Sequence, residues 1–164
     1  MLKKLILLIA AGFFLASCAA TKTDQGGDVD AASSASSSSS DGSINAGTQE
    51  DLIVNVGDRV FFEFDSSELT VDAQATLDAQ AAWLLQYSDT DITIEGHADE
   101  RGTREYNLAL GERRANAARD YLMTYGISGK RISVISYGKE KPINPASSAL
   151  AWSQNRRSVT VKVN

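Results

Sequence analysis

The sequence predicts an α/β domain built as a two-layer sandwich: a small mixed four-stranded sheet, element order β-α-β-α-β-(α)-β, with the helices packed on one face. Three observations carry this. Apolar residues alternate every second position in some stretches and recur at helical spacing in others. The two kinds of stretch alternate along the chain, and right-handed crossovers then place both long helices on the same side of the sheet. Large apolar residues are also nearly absent between Ala19 and Gln49, so a single core must be built from residue 51 onward. With one cysteine and one histidine in 164 residues, disulfide scaffolds, cysteine-based zinc sites and poly-histidine metal sites are excluded. A formal net charge of −5 argues against a protein that binds nucleic acid by neutralising phosphates.

The N-terminus reads as an export signal. Lys3 and Lys4 precede an apolar run from Leu5 to Leu15, shorter than the roughly 20 residues of a membrane-spanning helix. Leu15-Ala16-Ser17-Cys18 closes it and resembles a bacterial lipobox, in which the cysteine thiol receives diacylglycerol before cleavage. Residues 1–17 are then the signal peptide and Cys18 the lipidated first residue. Several acyl chains hold a bilayer stably, each buried methylene adding roughly 0.8 kcal/mol. The resemblance to bacterial lipoproteins further implies the outer membrane, since in them an aspartate after the cysteine favours retention in the inner membrane and here the residue is Ala19. Residues 18–50 are expected to form a disordered, serine-rich tether, since seven of the eight residues Ser33 to Ser40 are serine and cannot bury enough apolar surface to offset chain entropy. As a Gly/Ser-like coil it spans on the order of 30 Å.

Residues 51–164 form the folded domain. Val60, Phe62 and Phe64 alternate with Phe61 and Glu63 as a half-buried strand. Leu77, Ala81 and Leu84 mark a helix from Val71 to Tyr87, and Ile92 to Glu95 is the second strand. Arg104 to Tyr125 is the strongest helix, with Leu108, Ala115, Ala118, Leu122 and Tyr125 on its apolar stripe and Gly126 at its end. Arg131 to Tyr137 reads as the third strand. A short helix near Ser148 to Asn155 leads to the fourth, Ser158 to Val163, with Val159, Val161 and Val163 on one face.

Polar residues concentrate in Glu95-Gly96-His97-Ala98-Asp99-Glu100-Arg101-Gly102-Thr103, between the second strand and the long helix. Turning about 100° per residue, that helix sets Asn107, Leu110, Arg114 and Tyr121 along one flank of its apolar stripe and Arg113 on the solvent side. Arg114 can therefore reach toward the loop that carries Asp99. The two groups suit either a salt bridge with each other or the ammonium and carboxylate of an amino-acid ligand. A hydrolase would need a nucleophile beside His97 and Asp99, and none stands between them; the expectation for His97 is a satisfied side chain near a strand end. No metal or cofactor is expected.

Gly96-His97-Ala98-Asp99-Glu100-Arg101-Gly102-Thr103 followed by Tyr106-Asn107-Leu108-Ala109-Leu110-Gly111-Glu112-Arg113-Arg114-Ala115-Asn116 resembles the peptidoglycan-binding motif of the OmpA C-terminal domain family. Phe62-Glu63-Phe64-Asp65-Ser66-Ser67, Ser136-Tyr137-Gly138-Lys139-Glu140-Lys141-Pro142 and Asn155-Arg156-Arg157 extend the likeness from about Val56 to the C-terminus. The resemblance implies a non-enzymatic binder of the meso-diaminopimelate residue of the peptidoglycan stem peptide. By that resemblance Asp99 accepts from the ammonium, Arg114 pairs with the carboxylate, Asp65 and Ser66 form a second wall, Leu110 contacts the ligand, and Asn107 orients the loop. Lipoproteins of the family tether the outer membrane to the wall in the Tol-Pal system, bind TolB and serve envelope integrity and cell division. Two positions depart from the pattern: Ala98, where the family usually has Thr, and Arg104, where its lipoproteins usually have Pro.

Overall fold

The computed structural model describes residues 44–163. The proposed signal peptide, Cys18 and the tether up to residue 43 lie outside the described residues.

The first described elements are a one-turn helix, α1 (Gln49–Asp51), continued by a π-helical turn over Leu52–Val56. Strand β1 (Arg59–Phe61) leads to helix α2 (Val71–Gln86), strand β2 (Ile92–His97) and the long helix α3 (Arg104–Thr124). Strand β3 (Ile132–Gly138), the short helix α4 (Ala149–Asn155) and strand β4 (Arg157–Lys162) complete the chain. The sheet order is β1-β4-β2-β3. Strands β2 and β3 are parallel, while β4 runs antiparallel to both β1 and β2, so the sheet is mixed, as the sequence predicts, and it is open. Helices α2 and α3 start at side-chain caps, Thr70 accepting from the Ala73 amide and Thr103 from the Tyr106 amide. The core lies between these helices and one sheet face, built from Val60, Phe62, Leu77, Leu84, Ile92, Ile94, Ala115, Leu122 and Ile132.

Three local expectations are corrected, and the face that the β4 valines share is identified. Residues 45–50, assigned to the tether, carry structure: Gln49 accepts from the Lys162 amide at 2.6 Å, and the Gly47 amide donates to Asp51 at 2.8 Å. Strand β1 ends at Phe61, because the chain turns through Asp65, whose φ is 55°; Phe64 is consequently 62% exposed. On α3 the buried residues are Asn107, Leu110, Gly111, Arg114, Ala115, Ala118 and Leu122, so the buried face is turned by roughly 45° from the expected apolar stripe and Leu108 and Tyr125 are exposed. On β4 the residues facing the helices are Ser158 and Thr160, opposite Gly96 and Ile94 of β2. The valines alternate onto the other, half-open face.

Small residues decide how closely α3 approaches the sheet. Gly96 on β2 and Gly111 on α3 touch backbone to backbone, and a methyl group on Gly96 would run into the Gly111 carbonyl. Only glycine at both positions allows this crossing. It brings Arg114, one turn further along α3, onto the end of β2.

Candidate functional site

Strand β2 ends at His97, and Ala98 continues its pairing by donating its amide to the Gly138 carbonyl at 2.8 Å. Ala98 is buried, so its methyl fills space that a threonine hydroxyl would have to share. The loop that follows, Asp99 to Thr103, is braced from three sides. Asn107 donates to the Arg101 carbonyl at 2.8 Å. Lys139 Nζ donates to the carbonyls of Gly102 at 2.7 Å and Glu100 at 3.2 Å. Glu100 in turn accepts from the Trp152 indole at 2.8 Å and the Ser147 hydroxyl at 3.1 Å. Gly102, with φ 93°, supplies the left-handed turn that this loop requires.

Arg114 is fully buried. Its Nε donates to the Ser66 carbonyl at 2.8 Å, Nη1 to the His97 carbonyl at 2.8 Å and Nη2 to the Glu63 carbonyl at 3.1 Å, and the guanidinium lies 5.2 Å from the Phe62 ring centroid. Burial, reinforced by the nearby Arg156 charge, lowers its pKa to about 10, which leaves it charged at neutral pH. A buried charge of this kind is tolerated because its donors meet carbonyl dipoles. Three of the five N–H donors of an arginine are so engaged, and two remain.

Asp99 is also buried, but its partners are not the expected one. Arg101 forms a fork with it, Nη2 to Oδ2 at 2.6 Å and Nε to Oδ1 at 3.1 Å, and the Arg101 amide adds a third bond at 3.1 Å. Arg156 Nη1 stands 3.5 Å from Oδ2. Burial alone would raise the Asp99 pKa; the Arg101 bonds and the charges of Arg101 and Arg156 outweigh it and hold the carboxyl below its ordinary value. No direct Asp99–Arg114 ion pair forms. Of the two alternatives left open by the sequence, the internal salt bridge is therefore not realised.

Asp99 and Arg114 nevertheless share one pocket of about 160 Å³, lined also by Phe64, Asp65, Arg101, Gly102, Tyr106, Asn107, Leu110 and Arg156. Asp65 reaches it from the turn after β1 and accepts from the Tyr106 hydroxyl. Ser66 does not line the pocket. Its hydroxyl accepts from the Glu68 amide, and its carbonyl supports Arg114 from behind. A larger groove of about 470 Å³ runs along β1 and the start of α2, and it has only Arg156 in common with the first.

Phe64, Arg101, Tyr106 and Arg156 are pocket residues that sequence reasoning did not assign. The Asn155-Arg156-Arg157 segment contained a signal for Arg156; nothing distinguishes Arg101 from a solvated loop charge until its neighbours are known. His97 departs from expectation: it is 1% exposed and has no ring nitrogen in a hydrogen bond of good geometry. Its ring faces Tyr137, with centroids 5.5 Å apart, and Glu95 Oε2 stays 3.6 Å from Nε2.

The α/β scaffold presents buried groups of opposite charge in one small pocket, an arrangement whose chemistry suits a charged small ligand. The OmpA family model matches residues 61–156. A peptidoglycan-associated lipoprotein of Rhizobium meliloti is 62% identical over 120 residues, covering 73% of this chain and 68% of the relative. That of Mesorhizobium japonicum is 48% identical over 155 residues, 94% of this chain and 89% of the relative. Among solved structures, the peptidoglycan-associated lipoprotein from Burkholderia pseudomallei matches with a TM-score of 0.62 at 41% identity, over 64% of this chain and 89% of that one. The C-terminal domain of Helicobacter pylori MotB shares the fold, with a TM-score of 0.60 at 24% identity over 65% of this chain and 84% of that one. The chain belongs to the OmpA family, and the relatives that resemble it across most of its length are peptidoglycan-associated lipoproteins.

Proposed function

We propose that the folded domain binds peptidoglycan non-covalently, through the diaminopimelate residue of the stem peptide, and that the chain is held at the outer membrane by lipid on Cys18. The observation that carries this reading is the shared pocket of Asp99 and Arg114. A diaminopimelate side chain ends in a free amino-acid group, an ammonium and a carboxylate on one carbon. Asp99 accepts from the ammonium, and the two unused donors of Arg114 meet the carboxylate. Leu110 and Phe64 cover the methylenes, Asp65 and Tyr106 close the opposite wall, and Asn107 keeps the loop in place. In this role the protein ties the outer membrane to the wall, with a TolB-like protein of the Tol system as partner, and contributes to envelope integrity and cell division.

Co-sedimentation with purified diaminopimelate-type sacculi tests the reading. Wild-type protein is expected to pellet with sacculi and Asp99→Asn to remain in the supernatant while keeping its circular dichroism spectrum and melting temperature. Arg114→Lys, which keeps the charge but loses the fork, is expected to bind at least tenfold more weakly. If both variants sediment like wild type, the pocket is not the wall site.

A further inference from the structure

The Asp99 carboxylate is not vacant. Each of its oxygens already accepts at least one charge-assisted hydrogen bond, Oδ1 from Arg101 Nε and the Arg101 amide and Oδ2 from Arg101 Nη2, with Arg156 Nη1 close by. Three of its roughly four lone-pair positions are taken and the fourth, on Oδ2, faces Arg156 Nη1 at 3.5 Å, so an arriving ammonium competes with an arginine for this carboxylate.

The two arginines differ in how firmly they are held. Arg156 is largely buried and anchored elsewhere, its Nε donating to the Phe62 carbonyl at 2.9 Å. Arg101 is 35% exposed along its side chain, and beyond Asp99 and the nearby Glu100 charge its guanidinium rests between two aromatic faces. It lies 4.1 Å from the Phe64 ring centroid and 4.2 Å from that of Trp152, between a ring on the turn after β1 and a ring on α4. Stacking on exposed rings is a modest attraction that lets a planar cation slide or swing.

We propose that Arg101 is the resident cation of the Asp99 subsite, a specificity-determining residue that the ammonium group of a ligand displaces. The inference rests on the proposed binding of an amino-acid end at this pocket and adds a rule for which ligands succeed. Without ligand, Arg101 neutralises a buried carboxylate that would otherwise be costly to leave alone. A ligand that brings only an ammonium exchanges one cation for another and gains little. One that also brings a carboxylate gains the Arg114 contact on top of the exchange. Arg101 thereby raises the threshold for simple amines and leaves the zwitterionic end favoured.

The experiment uses the full chain and two synthetic tripeptides, L-Ala-D-Glu-meso-diaminopimelate and L-Ala-D-Glu-L-Lys, with affinity measured by calorimetry and indole emission recorded in parallel. Trp83, the other tryptophan, is buried and bonded to Asp51 far from the pocket, so a Trp152→Phe control assigns the signal. In wild type, the diaminopimelate peptide is expected to change Trp152 emission as Arg101 leaves the ring. Arg101→Gln is expected to bind that peptide roughly three- to tenfold more tightly, to gain measurable binding of the lysine peptide, and to lose the ligand-induced emission change. Arg101→Lys, which keeps the charge without fork or stacking, should fall between the two and guards against a folding defect in the glutamine variant. Binding of the diaminopimelate peptide that is equal or weaker in a folded Arg101→Gln protein overturns the proposal and leaves the wall-binding reading standing, as does wild-type binding without any Trp152 response. If neither wild type nor Arg101→Gln binds the peptides or sacculi, both readings fall together.

Discussion

His97 and Arg114 show how the buried polar residues of this domain divide between the well satisfied and the poorly satisfied. Arg114 exchanges water for three carbonyls. His97, whose own carbonyl is one of them, has no ring nitrogen in a hydrogen bond of good geometry, and the Lys141 backbone offsets its burial only in part. Burial, followed by the positive charges of Arg157 and Lys141, lowers its pKa from 6.5 to about 4. The folded state therefore refuses a proton that the unfolded chain accepts below pH 6.5, and stability present above that value is lost as the pH falls toward 4. Urea unfolding is expected to show a loss of about 2 kcal/mol between pH 7 and pH 5, and His97→Phe is expected to remove most of that slope. An unchanged slope in the variant would assign the acid sensitivity elsewhere. The carboxylates held below their ordinary range, Asp51, Asp78, Asp99 and Glu100, act in a more acidic window, so the two contributions separate along the pH axis.

At the scale of the element, the decisive contact is the crossing of α3 over β2. The sequence displayed both helices and all four strands through their periodicity, because burial on one face leaves a trace every 3.6 or every second residue. It misplaced the buried face of α3, because two of the groups that face is built around, Asn107 and Arg114, are polar, and hydropathy counts them as solvent-facing. It set the three valines of β4 on one face, as found, without saying which: Thr160 is buried through a hydroxyl bond to Gln80 at 2.7 Å and the valines take the more open side. The charged ends of the pocket were legible as Asp99 and Arg114 because their motif is long; the pairing of Asp99 with Arg101 depends on a loop conformation that no spacing rule encodes. Gly111→Ala tests the crossing itself. The new methyl would press on Ser136 Oγ and, at 2.9 Å, on the Gly96 carbonyl oxygen, so a loss of about 1–3 kcal/mol is expected, read as a lower melting temperature. Sacculus binding should fall with it, since lifting α3 off β2 withdraws Arg114 from the His97 carbonyl. A variant as stable as wild type would show that the helix has room to spare.

At the scale of the whole molecule, the proposed function gives the N-terminal region and the domain separate jobs. The lipid assignment rests on Leu15-Ala16-Ser17-Cys18 and is checked by mass spectrometry of the mature protein. The expected species begins at Cys18 and carries acyl chains; an unmodified N-terminus would remove the anchor from the proposed function.

The bond from β4 to Gln49 then takes on a mechanical meaning. A pull on the chain ahead of residue 44 first meets Gln49, tied to the Lys162 amide and the Thr160 carbonyl, and Asp51, tied to Trp83. From β4 the load crosses a ladder of antiparallel pairs into β2, whose end holds Arg114 through the His97 carbonyl and continues into Asp99. Tension between membrane and wall would thus be shared by the β4–β2 ladder and by both helices, α2 taking it at Trp83 and α3 at Arg114.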